Sequence, residues 1–268
     1  MKKSKKNKMV DINKSSLYKA LISDIDGTLT PIIPNSLPSE KVTCKIKEAV
    51  NKGLIFSLAT GRPFFLAKYL VDHLGLIGPS IVDNGAVIVD SHDGSTIWEA
   101  NLPNEEANQV ISSVKKYKLR RASLDSGVLE NPTKLPNNSK VRKLSIHDIS
   151  EDIADKIISK VSSLYSDVIG TKAASYKGQH LVDVYFSNIK ATKQYAVFKL
   201  SKILGIQESE IIGVGDGYND FPLLMACGMK VAMGNSVNDL KGIADYIALS
   251  VEEDGLAEVI DKFYLNKL

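Results

Sequence analysis

Short apolar runs alternate along the chain with longer stretches in which apolar positions recur every three or four residues. "YKALISD" (18–24), "LIFSLA" (54–59) and "SIVD" (80–83) predict buried strands. Between them, "SEKVTCKIKEAVNKG" predicts a helix that Ser39 caps and Gly53 ends. "PFFLAKYLVDHLG" predicts a second, with Pro63 in its first turn and Gly75 at its stop. Strand, helix, strand, helix, strand is the pattern of a parallel sheet with crossover helices.

The texture changes after Asn84-Gly85. "AVIVD", a Ser-His-Asp-Gly turn and "STIWEA" predict an antiparallel hairpin. A helix ("NEEANQVISSVKKY"), a strand near "LRRASL" and a loop-like stretch, "ENPTKLPNNSK", come next. Then follow a strand "VRKLSIH", a helix "DIADKIISKVSSLY" and strands near "SDVIGTK" and "HLVDVYF". Strands here adjoin strands, which is α+β material. From "ATKQYAVFKLSKILG" onward the alternation returns through "EIIGVG", "DFPLLMAC", "KVAM" and "YIAL". The expected organisation is an α/β fold with a doubly wound, Rossmann-like parallel-sheet core formed by residues 17–85 and 187–268. An α+β domain is inserted over residues 86–186.

Composition changes this picture only at one end. Apolar residues make up 44% of the 268 and charged residues 24%, as in an ordinary globular protein. The net charge of +3 is unevenly spread: residues 1–19 carry seven lysines against Asp11 alone, which leaves the remainder at −3. "MKKSKKNK" has no aromatic residue and no amphipathic stripe, so residues 1–16 are expected to be a solvated, disordered basic tail. Neither nucleic acid nor membrane is expected as a partner. No apolar run approaches the length of a membrane span, and no apolar stretch follows the lysines as in a secretory signal. Two distant cysteines, Cys44 and Cys227, argue for a reducing compartment, hence a cytoplasmic protein.

The chemistry-bearing residues fall just beyond strand ends, where open parallel sheets bind ligands. Asp24 and Asp26 follow the first strand, and Thr60, Gly61 and Arg62 follow the second. Asp216, Gly217, Asn219 and Asp220 follow "EIIGVG", and Lys193 opens the helix that leads back from the insertion. Taken singly, each piece reads as turn or surface chemistry. Together they deliver carboxylates, a hydroxyl, a lysine and an arginine to one edge. Crowded carboxylates need a cation, and an all-oxygen set that also serves a phosphate suggests Mg²⁺. Lys193, Thr60 and a glycine-rich turn are donors suited to a phosphoryl group.

These pieces resemble the haloacid dehalogenase superfamily of phosphohydrolases. "DIDGT", "ATGR", "TKQYAVFKLSKILGI" and "GDGYNDFPLL" stand for its four motifs. "DNGA", "VAMGN" and "EEDGLAEVI" are further similar to its Cof-type subgroup, which carries an inserted α/β cap. Lys193 is followed by Gln194, where the family commonly has glycine. The resemblance implies a Mg²⁺-dependent phosphatase acting through an aspartyl phosphate on a small phosphorylated metabolite such as a sugar phosphate. Asp24 would be the nucleophile and Asp26 the general acid and base. Asp24, the backbone carbonyl of Asp26 and Asp216 would bind the metal, with Asp220 in support. Thr60 and Lys193 would hold phosphoryl oxygens, and Gly61, Arg62, Asn84, Asn219 and Asn235 would serve substrate or motif. The cap would set specificity, with cations of "KVRKLSIH" and "KAASYKGQH" as candidate readers, and the protein would be a monomer or homodimer. A sugar phosphomutase or phosphotransferase could use the same motifs. A phospho-accepting signalling module fits less well, being far shorter and without an insertion.

Overall fold

The computed structural model describes residues 17–265 except 176 and 179; the expected basic tail over residues 1–16 lies outside the described residues. Ala20–Ser23 (β1) is buried along its whole length and runs into the site loop. Glu40–Asn51 (α1) starts where expected, with the Ser39 hydroxyl accepting from the Val42 amide at 3.1 Å. Ile55–Leu58 (β2), Phe64–Leu74 (α2) and Pro79–Val82 (β3) follow, α2 ending on Gly75 in the left-handed conformation. Val87–Asp90 (β4) and Thr96–Glu99 (β5) form the expected hairpin.

Next come Asn104–Ser113 (α3), Arg121–Leu124 (β6), Gly127–Glu130 (β7) and Val141–Ser150 (β8). Glu151–Leu164 (α4), Val168–Ala174 (β9) and Leu181–Asn188 (β10) complete this region. The return is through Lys193–Leu204 (α5), Ile211–Gly215 (β11), Phe221–Ala226 (α6) and Met229–Ala232 (β12). Asn238–Ile243 (α7), Tyr246–Ile247 (β13) and Gly255–Ile260 (α8) follow, and a π-helical turn over Asp261–Leu265 ends the described chain.

The first sheet is parallel, in the order β13-β12-β11-β1-β2. From β1 the chain winds outward to β2, whereas from β11 it winds the other way to β12 and β13. The order therefore reverses between β1 and β11, and a crevice opens there beyond their carboxyl ends. Helices cover both faces: Leu21, Leu58, Val214 and Val231 pack with α1, α2 and α8 on one. Ile22, Ile212's neighbour Ile211, Ala196, Leu200 and Leu223 pack on the other.

A five-stranded antiparallel sheet, β7-β6-β8-β10-β9, forms the cap. Its even-numbered side chains on β8 and β10, Leu144, Ile146, Val184 and Phe186, pack with Ile157 and Val161 of α4 and Val110 of α3. Between the register shifts, Lys143, Ser145, His147, Asp183 and Tyr185 point away from that core, toward the first sheet's crevice, whereas Val141 and Ile149 beyond the shifts return to it. The β4–β5 hairpin, grouped by sequence with the insertion, hydrogen-bonds to β3, and Ile88 packs with Ile22, Ala59 and Ile81. We therefore place the start of the cap after residue 99. Strand β7 lies between the expected strand near "LRRASL" and the loop-like stretch, and is not among the expected elements, since Val128 and Leu129 alone give it an apolar signature. Among the described residues, no helix is long and apolar enough to cross a membrane.

Asn84-Gly85 lies against the start of α5. Gly85 has φ +98°, and a Cβ there would stand 2.2 Å from the Thr192 carbonyl carbon. Gly85→Ala should destabilise the protein by about 2–4 kcal/mol, measured by urea unfolding. Gly242→Ala, where a Cβ meets nothing within 4 Å in α7, should be neutral or stabilise by up to about 1 kcal/mol.

Candidate active site

The site begins where β1 runs out. Asp24 still follows the strand, its amide donating to the Val214 carbonyl at 3.0 Å, and then the chain turns. The Leu29 and Thr30 amides both donate to the Ile25 carbonyl at 2.9 Å, and the Gly27 amide donates to the Thr30 carbonyl at 2.7 Å. Gly27 has φ +85°, and a Cβ there would stand 2.3 Å from Asp216 Oδ2, so only glycine lets the loop close on that carboxylate. Thr28 donates to Asp216 Oδ1 at 3.0 Å. Asn235 donates to the Gly27 carbonyl at 2.8 Å while accepting from the Val251 amide, tying the "VAMGN" turn to the loop.

Lys193 is the first residue of α5, after Thr192, whose hydroxyl caps the helix through the Tyr195 amide. A cation at a helix N-terminus opposes the helix dipole, and here two carboxylates outweigh it. Its Nζ donates to Asp24 Oδ1 and to Asp220 Oδ1, each at 2.6 Å, and its side chain is 0% exposed. Asp220 Oδ2 accepts from the Asp216 and Gly217 amides at 3.0 and 2.9 Å. Both oxygens of Asp220 are thus engaged in holding the site together. Ligand oxygens of Asp24, Asp216 and Asp220 lie within 4.8 Å of one another.

Three buried carboxylates face one ammonium. Burial, then the Asp220 charge, push the Asp24 carboxyl up to about 7 against the opposing pull of Lys193. Burial, Asp220 and Asp24 raise Asp216 well above the usual carboxylate range. For Lys193, burial works to lower the pKa, but Asp220 and Asp24 outweigh it and hold the ammonium above the ordinary lysine range. The cluster therefore lacks positive charge. Its donors are all oxygen, so the residues present fit a hard divalent cation rather than zinc or copper.

Asp26 stands apart from this cluster. Its carboxylate is gripped by Arg62, whose Nη2 and Nε donate to its two oxygens at 2.5 and 3.0 Å. Thr60 is buried, its hydroxyl accepting from the Arg62 amide and its carbonyl accepting from the Asn84 amide. Asn84 is aimed at the cap, where its amide donates to Thr171 of β9 at 2.8 Å. A cavity of about 480 Å³ opens over Asp24, Asp26 and Asp216, with Gly61, Arg62, Gly217 and Asn219 around its floor.

The cap roofs this cavity. Of the candidate cap cations, Lys143 and His147 line it. Lys140 pairs with Glu99, Lys172 with Asp155 and Lys177 with Asp148, and Arg142 lies 3.7 Å from Asp83. Lys143 donates to the Gly61 carbonyl and lies 3.4 Å from Asp83 Oδ1; burial lowers its pKa, with Asp83 opposing. Sequence reasoning missed Ser123, Asp183, Tyr185 and Asp83, the last accepting from Ser123 at 2.7 Å. The two-residue alternation on β8 and β10 carried the signal: 143, 145, 147, 183 and 185 share one face.

The family model for haloacid dehalogenase-like hydrolase matches residues 21–127 and 120–260. A phosphoglycolate phosphatase of Methanopyrus kandleri is 26% identical over 246 residues, covering 90% of this chain and 95% of its own. A 5-amino-6-(5-phospho-D-ribitylamino)uracil phosphatase of Bacillus subtilis is 26% identical over 286 residues, covering 91% and 97%. Among solved structures, a haloacid dehalogenase-like hydrolase from B. subtilis superposes with a TM-score of 0.79 at 21% identity, covering 91% of this chain and 99% of that one.

The raised Asp24 pKa has a signed consequence for stability. Between its ordinary value near 3.8 and about 7, the folded state holds a proton that the unfolded chain releases. Metal-free protein should therefore lose stability as pH rises through that window, with the full penalty present above it. A divalent cation offsets the charge that appears, so the rise in Tm on adding Mg²⁺ should be larger at pH 8 than at pH 5. Equal increments at the two pH values would contradict the reading of the cluster.

Proposed function

The chain belongs to the haloacid dehalogenase-like hydrolases of the Cof type, and on that footing we propose that it is a Mg²⁺-dependent phosphatase of a small phosphorylated metabolite. The observation that carries the reading is the charge deficit of the Asp24–Asp216–Asp220 cluster around Lys193, at the reversal of strand order. Relatives of near-full-length coverage are named as phosphatases of small phosphorylated compounds, which supports the substrate class. The compartment that fits such a substrate and two unpaired cysteines is the cytoplasm.

Asp24 and Asp216 would hold the cation, with the Asp26 carbonyl, and Asp220 would orient Asp216 through its amide. Bound there, Mg²⁺ supplies charge that lets a carboxylate approach a phosphate ester. An oxygen of Asp24 attacks phosphorus, and the bond from phosphorus to the ester oxygen breaks. Asp26, protonated at that moment, gives its proton to the departing alcohol. The resulting aspartyl phosphate splits one displacement into two. Asp26 then takes a proton from water, the water oxygen attacks phosphorus, and the bond to Asp24 breaks, releasing phosphate. Lys193 and the Thr60–Gly61 turn steady the phosphoryl oxygens, and the cap keeps bulk water out. Because Arg62 grips both Asp26 oxygens, an incoming ester must displace one of those bonds before the proton can pass.

Metal-dependent release of inorganic phosphate from p-nitrophenyl phosphate tests the reading and separates a hydrolase from a phosphotransferase. Turnover should vanish with EDTA, and full turnover in metal-free buffer would contradict it. Asp24→Asn should abolish turnover of every substrate. Asp26→Asn should lower hydrolysis of an alkyl phosphate about 10²–10⁴-fold, and should spare more of the first step for an aryl phosphate, which leaves without a proton. The aryl ester should then show a burst of p-nitrophenol, since the second step lacks its base. Equal losses on both esters, without a burst and with metal binding intact, would remove Asp26 as the acid and base.

A further inference from the structure

The cap grips the turn after β2 by its backbone. The three carbonyls of that turn, at Thr60, Gly61 and Arg62, each accept a hydrogen bond. The Asn84 amide donates to the Thr60 carbonyl and the Asp83 amide to the Arg62 carbonyl, both at 2.9 Å. The middle carbonyl, that of Gly61, accepts from Lys143 Nζ on β8. Its peptide also carries the Arg62 amide, which donates to the Thr60 hydroxyl at 3.1 Å. A Cβ at Gly61 would meet nothing within 4 Å, so no neighbouring atom wedges this peptide in place. Lys143 holds it instead, by the carbonyl. A flip of the peptide would break the contact with Thr60 and swing Arg62, whose guanidinium holds both oxygens of Asp26.

Asp83 keeps the lysine there. Its side chain is 0% exposed and accepts from Ser123 at 2.7 Å, with Lys143 Nζ at 3.4 Å and Arg142 Nη1 at 3.7 Å. The Lys143 side chain is itself buried, with its ammonium 4.9 Å from the centre of the Tyr185 ring, and the Asp83 charge opposes the effect of that burial. Asp83 thus acts on the turn twice: its amide holds the Arg62 carbonyl, and its carboxylate holds the lysine that holds Gly61. Asp83 and Asn84 have φ +49° and +60°, a left-handed pair that costs strain and turns both amides onto the Thr60–Arg62 turn. Apolar residues filling the same space would give comparable stability. A buried ion pair that ends on a backbone carbonyl fixes orientation instead.

We propose that Asp83 and Lys143 are a positioning pair for proton transfer: together they fix the Gly61–Arg62 peptide, and through Arg62 they keep Asp26 in line with the leaving oxygen. This rests on the reading of Asp26 as general acid and deepens it. When the ester takes one Asp26 oxygen from Arg62, the clamped backbone keeps the guanidinium on the other. Neither Asp83 nor Lys143 touches the substrate in this role; both act through the backbone of the turn.

The test compares kcat/KM, which covers the first chemical step, for propyl phosphate and p-nitrophenyl phosphate. The proteins are the wild type, Lys143→Met, Asp83→Asn, Asp26→Asn and the double variant Lys143→Met with Asp26→Asn. Propyl phosphate needs a proton for its leaving oxygen and offers an ammonium nothing to bind beyond the phosphate. Lys143→Met should lower its kcat/KM by about tenfold or more, and by at least about fivefold more than for p-nitrophenyl phosphate. Asp83→Asn should show the same bias, and decides the matter alone should Lys143→Met fail to fold, as judged by its Tm. With Asp26→Asn already in place there is no acid left to position, so Lys143→Met should cost less than about threefold further on propyl phosphate. No loss on propyl phosphate, equal losses on the two esters in the folded single variants, or the same factor lost with and without Asp26 would overturn the proposal. Equal losses on both esters in Asp26→Asn itself would overturn the acid role and the proposal with it, and an inactive wild type would overturn the phosphatase reading.

Discussion

One ammonium group, buried between two carboxylates, is the constraint on which the rest of the site depends. Lys193 is removed from water, at the positive end of a helix, in contact with Asp24 and Asp220. Desolvating these charges is expensive, and well-packed apolar residues would give comparable or greater stability. The arrangement follows if the carboxylates must be there for a cation and a phosphate, and Lys193 keeps them from repelling one another apart. Every neighbouring feature serves that packing. Gly85 clears the start of α5, Gly27 lets the first loop press on Asp216, and Asp220 ties the end of β11 to the amides of Asp216 and Gly217.

The same arrangement joins the two sheets. Asp83 and Asn84, on the turn after β3, reach Ser123 and Thr171 of the cap, while Lys143 of the cap reaches back to the Gly61 carbonyl. Arg62, two bonds onto Asp26, is next in the chain to Gly61. The cap is therefore linked through short polar contacts to the turn that orients Asp26. On the proposed reading, chemistry would reside at the floor and selection at the roof; the contacts between floor and roof run through residues 60–62 and 83–84.

The core was legible because its strands are continuous apolar runs that stop abruptly at Asp24, Thr60 and Asp216, and strand ends are where such sheets bind. Asn84 shows the limit: its place in the loop was readable, but its hydrogen bond to Thr171 depends on how the cap docks. The hairpin of β4 and β5 was grouped with the insertion since two adjacent strands look alike whichever sheet they extend, and only pairing with β3 assigns it. Among cap cations, Lys140 and Arg142 were indistinguishable from Lys143 by charge. The strand's alternation, with a bulge opposite Ser123 and Leu124, sends Lys143 and His147 into the cavity. Asp183 was overlooked because a lone carboxylate in an apolar strand carries no motif; its meaning lies in His147 across the sheet.

The most direct measurement is the site of covalent phosphorylation. A single turnover quenched in acid and digested at low pH, where acyl phosphates survive, should yield a phosphorylated peptide containing Asp24, with fragmentation placing the phosphate on that residue. The label should be absent from Asp24→Asn and should accumulate in Asp26→Asn. A phosphate found on another side chain, or burst kinetics with Asp24 never modified, would contradict the assignment of Asp24 as the attacking group.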